Sequence, residues 1–203
     1  MKKIDIRIKR TYSQLISAFL ELLKNKSFDD ISVSEICEAA DVHRATFYKH
    51  FNDKYEFLNF CLESLLEDIE YSDVILEPTP ENIKNCCTSF IKIIFDFIHK
   101  YRFVFKAVFT GRQSLMFNKY LTDIVTSFCI DKIEKVLVGT PSYKIELLSN
   151  FYSGAVIGVA KWYVTHYEEC PLDDVYTFFE HRILEICDYY EKFYMNDIFR
   201  SEN

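Results

Sequence analysis

The chain has 203 residues, of which 49% are hydrophobic and 17% aromatic, with only four glycines and four prolines. This length and apolar content exclude intrinsic disorder and allow a sizeable core. The formal net charge of −7 excludes a polycation that binds any nucleic acid without preference.

The charge is unevenly distributed along the sequence. Residues 1–54 contain ten basic and eight acidic side chains, a net charge of +2, whereas residues 55–203 contain 14 and 23, a net charge of −9. Only the N-terminal quarter is therefore electrostatically suited to meet phosphate groups.

The first two helices are predicted from periodicity and capping. Apolar residues at three- and four-residue steps predict a helix over 4–24. A second helix begins at Ser32, where Glu35 completes a capping box. It ends at Asp41, because Asp tolerates the left-handed conformation that a tight turn requires.

A third helix is predicted over 42–50, and it is polar around a single apolar anchor, Phe47. Asp53 and Glu56 then form another capping box, which opens a fourth helix that continues to about residue 70. Two short helices joined by a tight turn, followed by a capped helix, predict a helix-turn-helix.

The outer face of helix 42–50 carries groups that suit a DNA groove. Arg44 can reach base edges, guanine above all, and the hydroxyl and imidazole groups of Thr46, Tyr48 and His50 can reach phosphate oxygens. Phosphates on the two sides of the groove can also meet helix starts, at Lys54 and at Ser32 and Ser34. The alternative is the solvated corner of an ordinary helical bundle.

Residues 8–57 resemble the DNA-binding domain of the TetR family of transcriptional regulators. The resemblance is carried by FDDISVSEICEAADVHRATFYKHF and the NDKYE that follows. It implies that seven residues approach DNA: Arg44, Ala45, Thr46, Tyr48, Lys49, His50 and Lys54. Asp41 departs from the family pattern, which usually has Gly at the turn, and His43 stands where a small Ser is common.

The rest of the chain is predicted to be helical too. Residues 71–80 contain two prolines and form a boundary, after which helices are predicted over 80–100, 101–109, 114–138, 141–167 and 172–193. The fold class is all-α with about nine helices. The predicted division is a helix-turn-helix domain at 1–53, a connecting helix and linker at 54–78, and a helical domain at 79–203. The resemblance implies that this last domain dimerises and holds a ligand.

Two sets of residues in the C-terminal part are candidates for those roles. Gly154 and Gly158 lie one turn apart in a helix interior, where Gly costs about 1 kcal/mol against Ala, so a close helix approach is expected. That approach occurs either in a dimer or within one subunit, and the dimer candidates are Gly154, Gly158, Phe179, Ile183 and Ile186. An apolar or aromatic effector would meet Phe95, His99, Phe103, Phe109, Tyr152 and Trp162, unless these residues are ordinary core.

The expected function is transcriptional regulation in the cytoplasm, without cofactor or metal. A homodimer would bind a palindromic operator on double-stranded DNA, act as a repressor, and be released by a small effector. One alternative is an interaction protein of the same fold that acts through another regulator. Another is a cysteine-based redox sensor, since seven cysteines are present and Cys86 and Cys87 are adjacent. No motif indicates catalysis, and no signal peptide or membrane span is expected.

Overall fold

A computed structural model describes residues 6–67, 79, 82–111 and 114–185. Every regular element in these ranges is a helix, which confirms the all-α fold class. The α-helices are α1 (Ile6–Asn25), α2 (Val33–Ala39), α3 (Arg44–Tyr48), α4 (Lys54–Glu67), α5 (Ile83–Lys100), α6 (Arg102–Thr110), α7 (Ser114–Val136), α8 (Ser142–His166) and α9 (172–185), and Phe28–Asp30 form a 3-10 turn.

The observed helix bounds follow the sequence prediction closely, with one informative difference. The helix predicted over 42–50 is α-helical only over Arg44–Tyr48. His43 takes the N-cap position in an extended conformation, and after Tyr48 the amide of His50 bonds the Phe47 carbonyl at 2.9 Å. The helix is therefore shorter than predicted, because residues 42–43 and 49–50 belong to the turns that flank it.

The chain divides into two compact units, and the division is not contiguous in sequence. The first unit contains α1 to α4 together with α6, and the second contains α5, most of α7, α8 and α9. In the first unit α6 packs against α1 and α4. The sequence-based boundaries at 53 and 78 assign α6 to the C-terminal domain, so the packing groups the helices differently.

The core of the first unit is aromatic. Phe19, Phe47 and Phe57 are completely buried, and the ring of Phe57 lies 5.4 Å from each of the other two. The helix α6 adds five almost fully buried side chains, Val104, Phe105, Ala107, Val108 and Phe109. Burial of a Val or Phe side chain stabilises by roughly 1.5–3 kcal/mol.

The second unit packs around α5 and α8. Phe95 is fully buried, with its ring 6.1 Å from Tyr163 and 5.3 Å from Phe179. Phe90 and Phe128 stack with centroids 3.8 Å apart. Among the described helices, none is long and apolar enough to cross a lipid bilayer.

Candidate nucleic-acid interface

The start of α2 is held by a reciprocal cap. The Ser32 hydroxyl accepts a bond from the Glu35 amide at 3.2 Å, and the Ser32 amide donates to the Glu35 carboxylate at 2.9 Å, as the sequence predicts. Lys26 also binds that carboxylate, at 2.5 Å. The Lys26 ammonium and the Ser32 donors lower the pKa of Glu35 to about 2. Ser32 is exposed and Ser34 is half-buried. The Ser32 hydroxyl also donates to the Glu35 carboxylate, at 2.8 Å, so both donors of Ser32 are used within the cap.

The turn between α2 and α3 has a defined geometry. Asp41 has φ +52°, which confirms the predicted left-handed residue. The Asp41 amide bonds the Glu38 carbonyl at 3.2 Å, and the Val42 amide bonds the Cys37 carbonyl at 2.9 Å. These two bonds form a Schellman motif, which satisfies helix-end carbonyls while reversing the chain direction. The turn therefore sets the crossing of the two short helices.

The helix α3 is anchored on one side and open on the other. Phe47 is completely buried, and its ring lies 5.4 Å from both Phe51 and Phe57. The outward residues are Arg44, Ala45, Tyr48 and Lys49, all exposed, and Tyr48 retains 55% of its accessible surface. Thr46 is half-buried. Four of the predicted DNA-contacting residues, Arg44, Ala45, Tyr48 and Lys49, thus lie on the open side of α3.

His50 is oriented by α1. The hydroxyl of Tyr12 lies 3.2 Å from His50 Nδ1, and the two rings meet edge-on with centroids 5.3 Å apart. Tyr12 also packs against Phe51 and Phe60. The sequence does not predict the pairing of Tyr12 with His50, because the two residues are 38 positions apart.

Lys54 is placed differently from the expectation. Its ammonium donates to the carbonyl oxygens of Phe28, Asp29 and Ile31 at 2.9, 2.8 and 2.8 Å. It also lies 4.9 Å from the centroid of the Phe28 ring. An ammonium has three donors, and all three are used here within the protein.

The start of α4 is capped from two sides. Asp53 accepts bonds from the amides of Tyr55 and Glu56 at 2.9 and 2.8 Å. The Glu56 carboxylate accepts from the amide of Asn52 at 2.7 Å, one residue before the partner that a standard capping box would use. The two amides that a phosphate would meet at this helix start therefore already bind a carboxylate.

The candidate effector residues are divided between the two units. Phe103 and Phe109 belong to the first unit, and the other four belong to the second. Phe95 is core, and His99 Nδ1 lies 2.5 Å from the hydroxyl of buried Tyr163. Trp162 is 48% exposed and stacks on His166 at 4.6 Å, and Tyr152 is half-buried beside Phe151.

The candidate dimer residues differ in how far they are buried. Within the described part of the chain, a Cβ added at Gly154 or Gly158 would meet nothing within 4 Å, so packing against these residues does not explain either glycine. Phe179 is buried against Phe95, whereas its neighbour Phe178 is 50% exposed. Ile183 is half-buried, and Ile186 lies outside the described residues.

A helix-turn-helix with an aromatic clamp behind a short, polar, exposed second helix defines a nucleic-acid-binding class of protein. Comparison with known proteins refines this class. Residues 15–60 match the model of the bacterial regulatory proteins of the tetR family, and residues 87–181 match TetR_C_8, a transcriptional regulator C-terminal region. The chain belongs to the TetR family of transcriptional regulators. Members of this family are regulators rather than enzymes, in agreement with the prediction from sequence.

Relatives and solved structures are similar over different lengths. YxbF and YwcC, uncharacterized HTH-type transcriptional regulators of Bacillus subtilis (strain 168), are 34% and 40% identical over 41% and 31% of this chain. The matches span only 22% and 29% of those relatives. The dihydroxyacetone kinase operon activator DhaS shares the fold, with a TM-score of 0.63 and 15% identity over 88% of this chain and 96% of that structure.

Proposed function

We propose that this protein binds a palindromic operator on double-stranded DNA as a homodimer and regulates transcription there. The observation that carries the proposal is the free face of α3. Arg44, Tyr48 and Lys49 are exposed while Phe47, between them in sequence, is completely buried. A cation, an aromatic hydroxyl and a second cation on one rigid surface suit contacts to base edges and phosphates in the major groove.

The homodimer is supported by an uncovered apolar stripe on α8. Side chains at three- and four-residue steps point away from the subunit core, and the large ones are more than 45% exposed: Leu147, Phe151 and Trp162. Gly154 and Gly158 lie between them, and no described residue lies within 4 Å of a Cβ added at either. Small residues flanked by large apolar ones allow a second helix to approach closely. A second copy of this helix is the occupant that fits, since it would present the same stripe.

Repression with release by a small effector is the regulatory mode that we propose. The helix α4 begins at Lys54, three residues after Phe51, and therefore follows closely on the recognition helix α3. A rigid-body swing of α4 would change the spacing of the two α3 helices, which must match successive major grooves about 34–36 Å apart. DhaS, which shares the fold, is described as an operon activator. A reporter gene therefore tests whether this protein represses or activates: we expect added protein to lower the reporter's expression.

The test of DNA binding uses fluorescence anisotropy with labelled random-sequence duplex at low and moderate salt. We expect binding that weakens steeply with salt, because phosphate contacts release counterions. Tyr48→Ala and Lys49→Ala should each weaken it, whereas Ser17→Ala, on the exposed side of α1, should not. Absence of binding by the wild-type protein at every salt concentration would favour an interaction protein that acts through another regulator.

Burial argues against a redox-sensing role for three of the cysteines. It raises the pKa of the Cys129 thiol to about 11 and that of Cys61 well above its usual value. It also raises the pKa of Cys37, although the charge of nearby Arg44 opposes this effect. Thiolates are the reactive form, so thiols held protonated are poor redox sensors.

A further inference from the structure

The ammonium of Lys54 occupies a site built from main-chain carbonyls. Phe28 and Asp29 belong to the 3-10 turn Phe28–Asp30, and Ile31 is its C-cap. Carbonyls at the end of a helical turn carry partial negative charge, and that of Phe28 also accepts the amide of Ile31 at 3.3 Å. Three of them converge on one cation within 2.9 Å, and the Phe28 ring covers it.

This site lies directly before α2. Ile31, whose carbonyl is the last of the three acceptors, is only 1% exposed and precedes the N-cap Ser32. Lys54 is the first residue of α4. A single side chain therefore ties the beginning of α4 to the peptide that positions the beginning of α2.

The stretch between α1 and α2 is also held by side-chain contacts that do not involve Lys54. Lys26, just after α1, binds Glu35 in the first turn of α2, and Ser27 donates to Asp30 at 2.7 Å. With the Lys54 bonds, the stretch between α1 and α2 is fixed at both ends. The exposed hydroxyl of Ser32 is held by the frame that these contacts form.

We propose that Lys54 is a positioning residue for DNA binding and that its ammonium is not a phosphate ligand. It sets the α2 start, with Ser34, relative to α4 and α3, so that the Ser34 hydroxyl reaches a phosphate when α3 lies in the groove. The proposal rests on the proposed function, because it concerns how the helix-turn-helix meets DNA.

Arginine cannot reproduce this arrangement. The carbonyls of residues 28, 29 and 31 surround a point-like cation with three donors that diverge from one nitrogen. A guanidinium is planar and presents its donors in a rigid fork, which suits a phosphate or a carboxylate. Lys54→Arg therefore separates the two roles, since it would restore a phosphate contact but not the carbonyl site.

The experiment measures affinity against salt for wild type, Lys54→Met, Lys54→Arg and Lys49→Met. The probe is a duplex selected from a random library by the wild-type protein. Thermal unfolding of each variant is recorded, and binding is measured well below the lowest midpoint. Lys49→Met is the matched control, because Lys49 is an exposed lysine on the proposed reading surface.

We expect both Lys54 variants to lose roughly tenfold or more in affinity, as for a lost charged hydrogen-bonding group, with the wild-type salt slope retained. Lys49→Met should instead reduce the slope by about 0.9, the value for one phosphate contact. A reduced slope in Lys54→Met with rescue by Lys54→Arg would overturn the proposal. So would a lowered melting temperature with unchanged affinity, which would make Lys54 purely structural. Failure of the wild type to bind any duplex would reject the proposed function itself.

Discussion

Asp41 holds a backbone conformation that suits glycine better than any other residue. Its φ of +52° brings Cβ close to the following carbonyl, a contact that costs roughly 1–2 kcal/mol for most residues and less for Asp. The Schellman bonds around it compensate, because both helix-end carbonyls find donors. The turn is therefore formed despite its residue type, and the strain is confined to one exposed position.

Replacing Asp41 by glycine should stabilise the protein. We expect Asp41→Gly to raise the free energy of unfolding by about 0.5–1 kcal/mol, because the strain is relieved at a position that needs no side chain. Urea unfolding followed by circular dichroism measures the change. The neighbouring substitution Ala40→Gly is the control, since Ala40 has an ordinary right-handed conformation and a buried methyl group. It should destabilise, and a shift of the same sign in both variants would contradict the argument.

At the scale of the element, the beginning of α2 depends on the ionised form of Glu35. Its carboxylate binds Lys26 and both donors of Ser32. These contacts lower the pKa of Glu35 from 4.5 to about 2 in the folded protein. A lowered folded-state pKa means that the stabilisation is complete above 4.5 and is lost as the pH falls toward 2.

Glu35→Gln should therefore lower the melting temperature at neutral pH, and the difference from wild type should shrink below pH 4.5. Differential scanning fluorimetry between pH 7 and pH 3 measures this convergence. Glu21→Gln removes the same charge from an exposed pair on α1 and should change the melting temperature less, because no helix cap is lost. A constant gap between wild type and Glu35→Gln at every pH would show that the cap does not depend on ionisation.

Sequence patterns spanning a few residues predicted the helices and their caps, whereas contacts between residues far apart in the sequence were not predicted. The Ser32 cap and the Asp41 turn follow from spacings of a few residues, and both are observed. Lys54 could not be placed from sequence, because its partners lie 23 to 26 residues away and are main-chain atoms that no side-chain pattern encodes. Phe178 and Phe179 point about 100° apart on one helix, so periodicity in the sequence did not decide which of the two rings is buried.

For the molecule as a whole, the proposed dimer links subunit association to DNA affinity. Phe151 is 67% exposed in the centre of the α8 stripe, so a charge there should be tolerated by the single subunit. Placed against the same stripe of a second copy, the charge would be buried without a partner and would oppose association. Two linked recognition helices also bind more tightly than one, because the second contact is intramolecular.

Phe151→Lys should convert the dimer to a monomer and weaken DNA binding by at least tenfold, as expected when bivalency is lost. Analytical ultracentrifugation and anisotropy on one preparation measure both effects. Tyr48→Lys, another exposed aromatic changed to lysine, is the control, and it should leave the sedimentation coefficient unchanged. A wild-type protein that sediments as a monomer at micromolar concentration would refute the dimer.

The membership of α6 in the first unit has a consequence for protein synthesis. The helices α1 and α4 are translated well before α6, yet they pack against its buried side chains. A nascent chain that has released only the first 67 residues therefore exposes an unfilled apolar surface, and such surfaces are prone to aggregate. The first unit can complete its core only after α6, which ends at Thr110, has left the ribosome. Folding of the unit that contains the helix-turn-helix therefore waits for residues translated after α5.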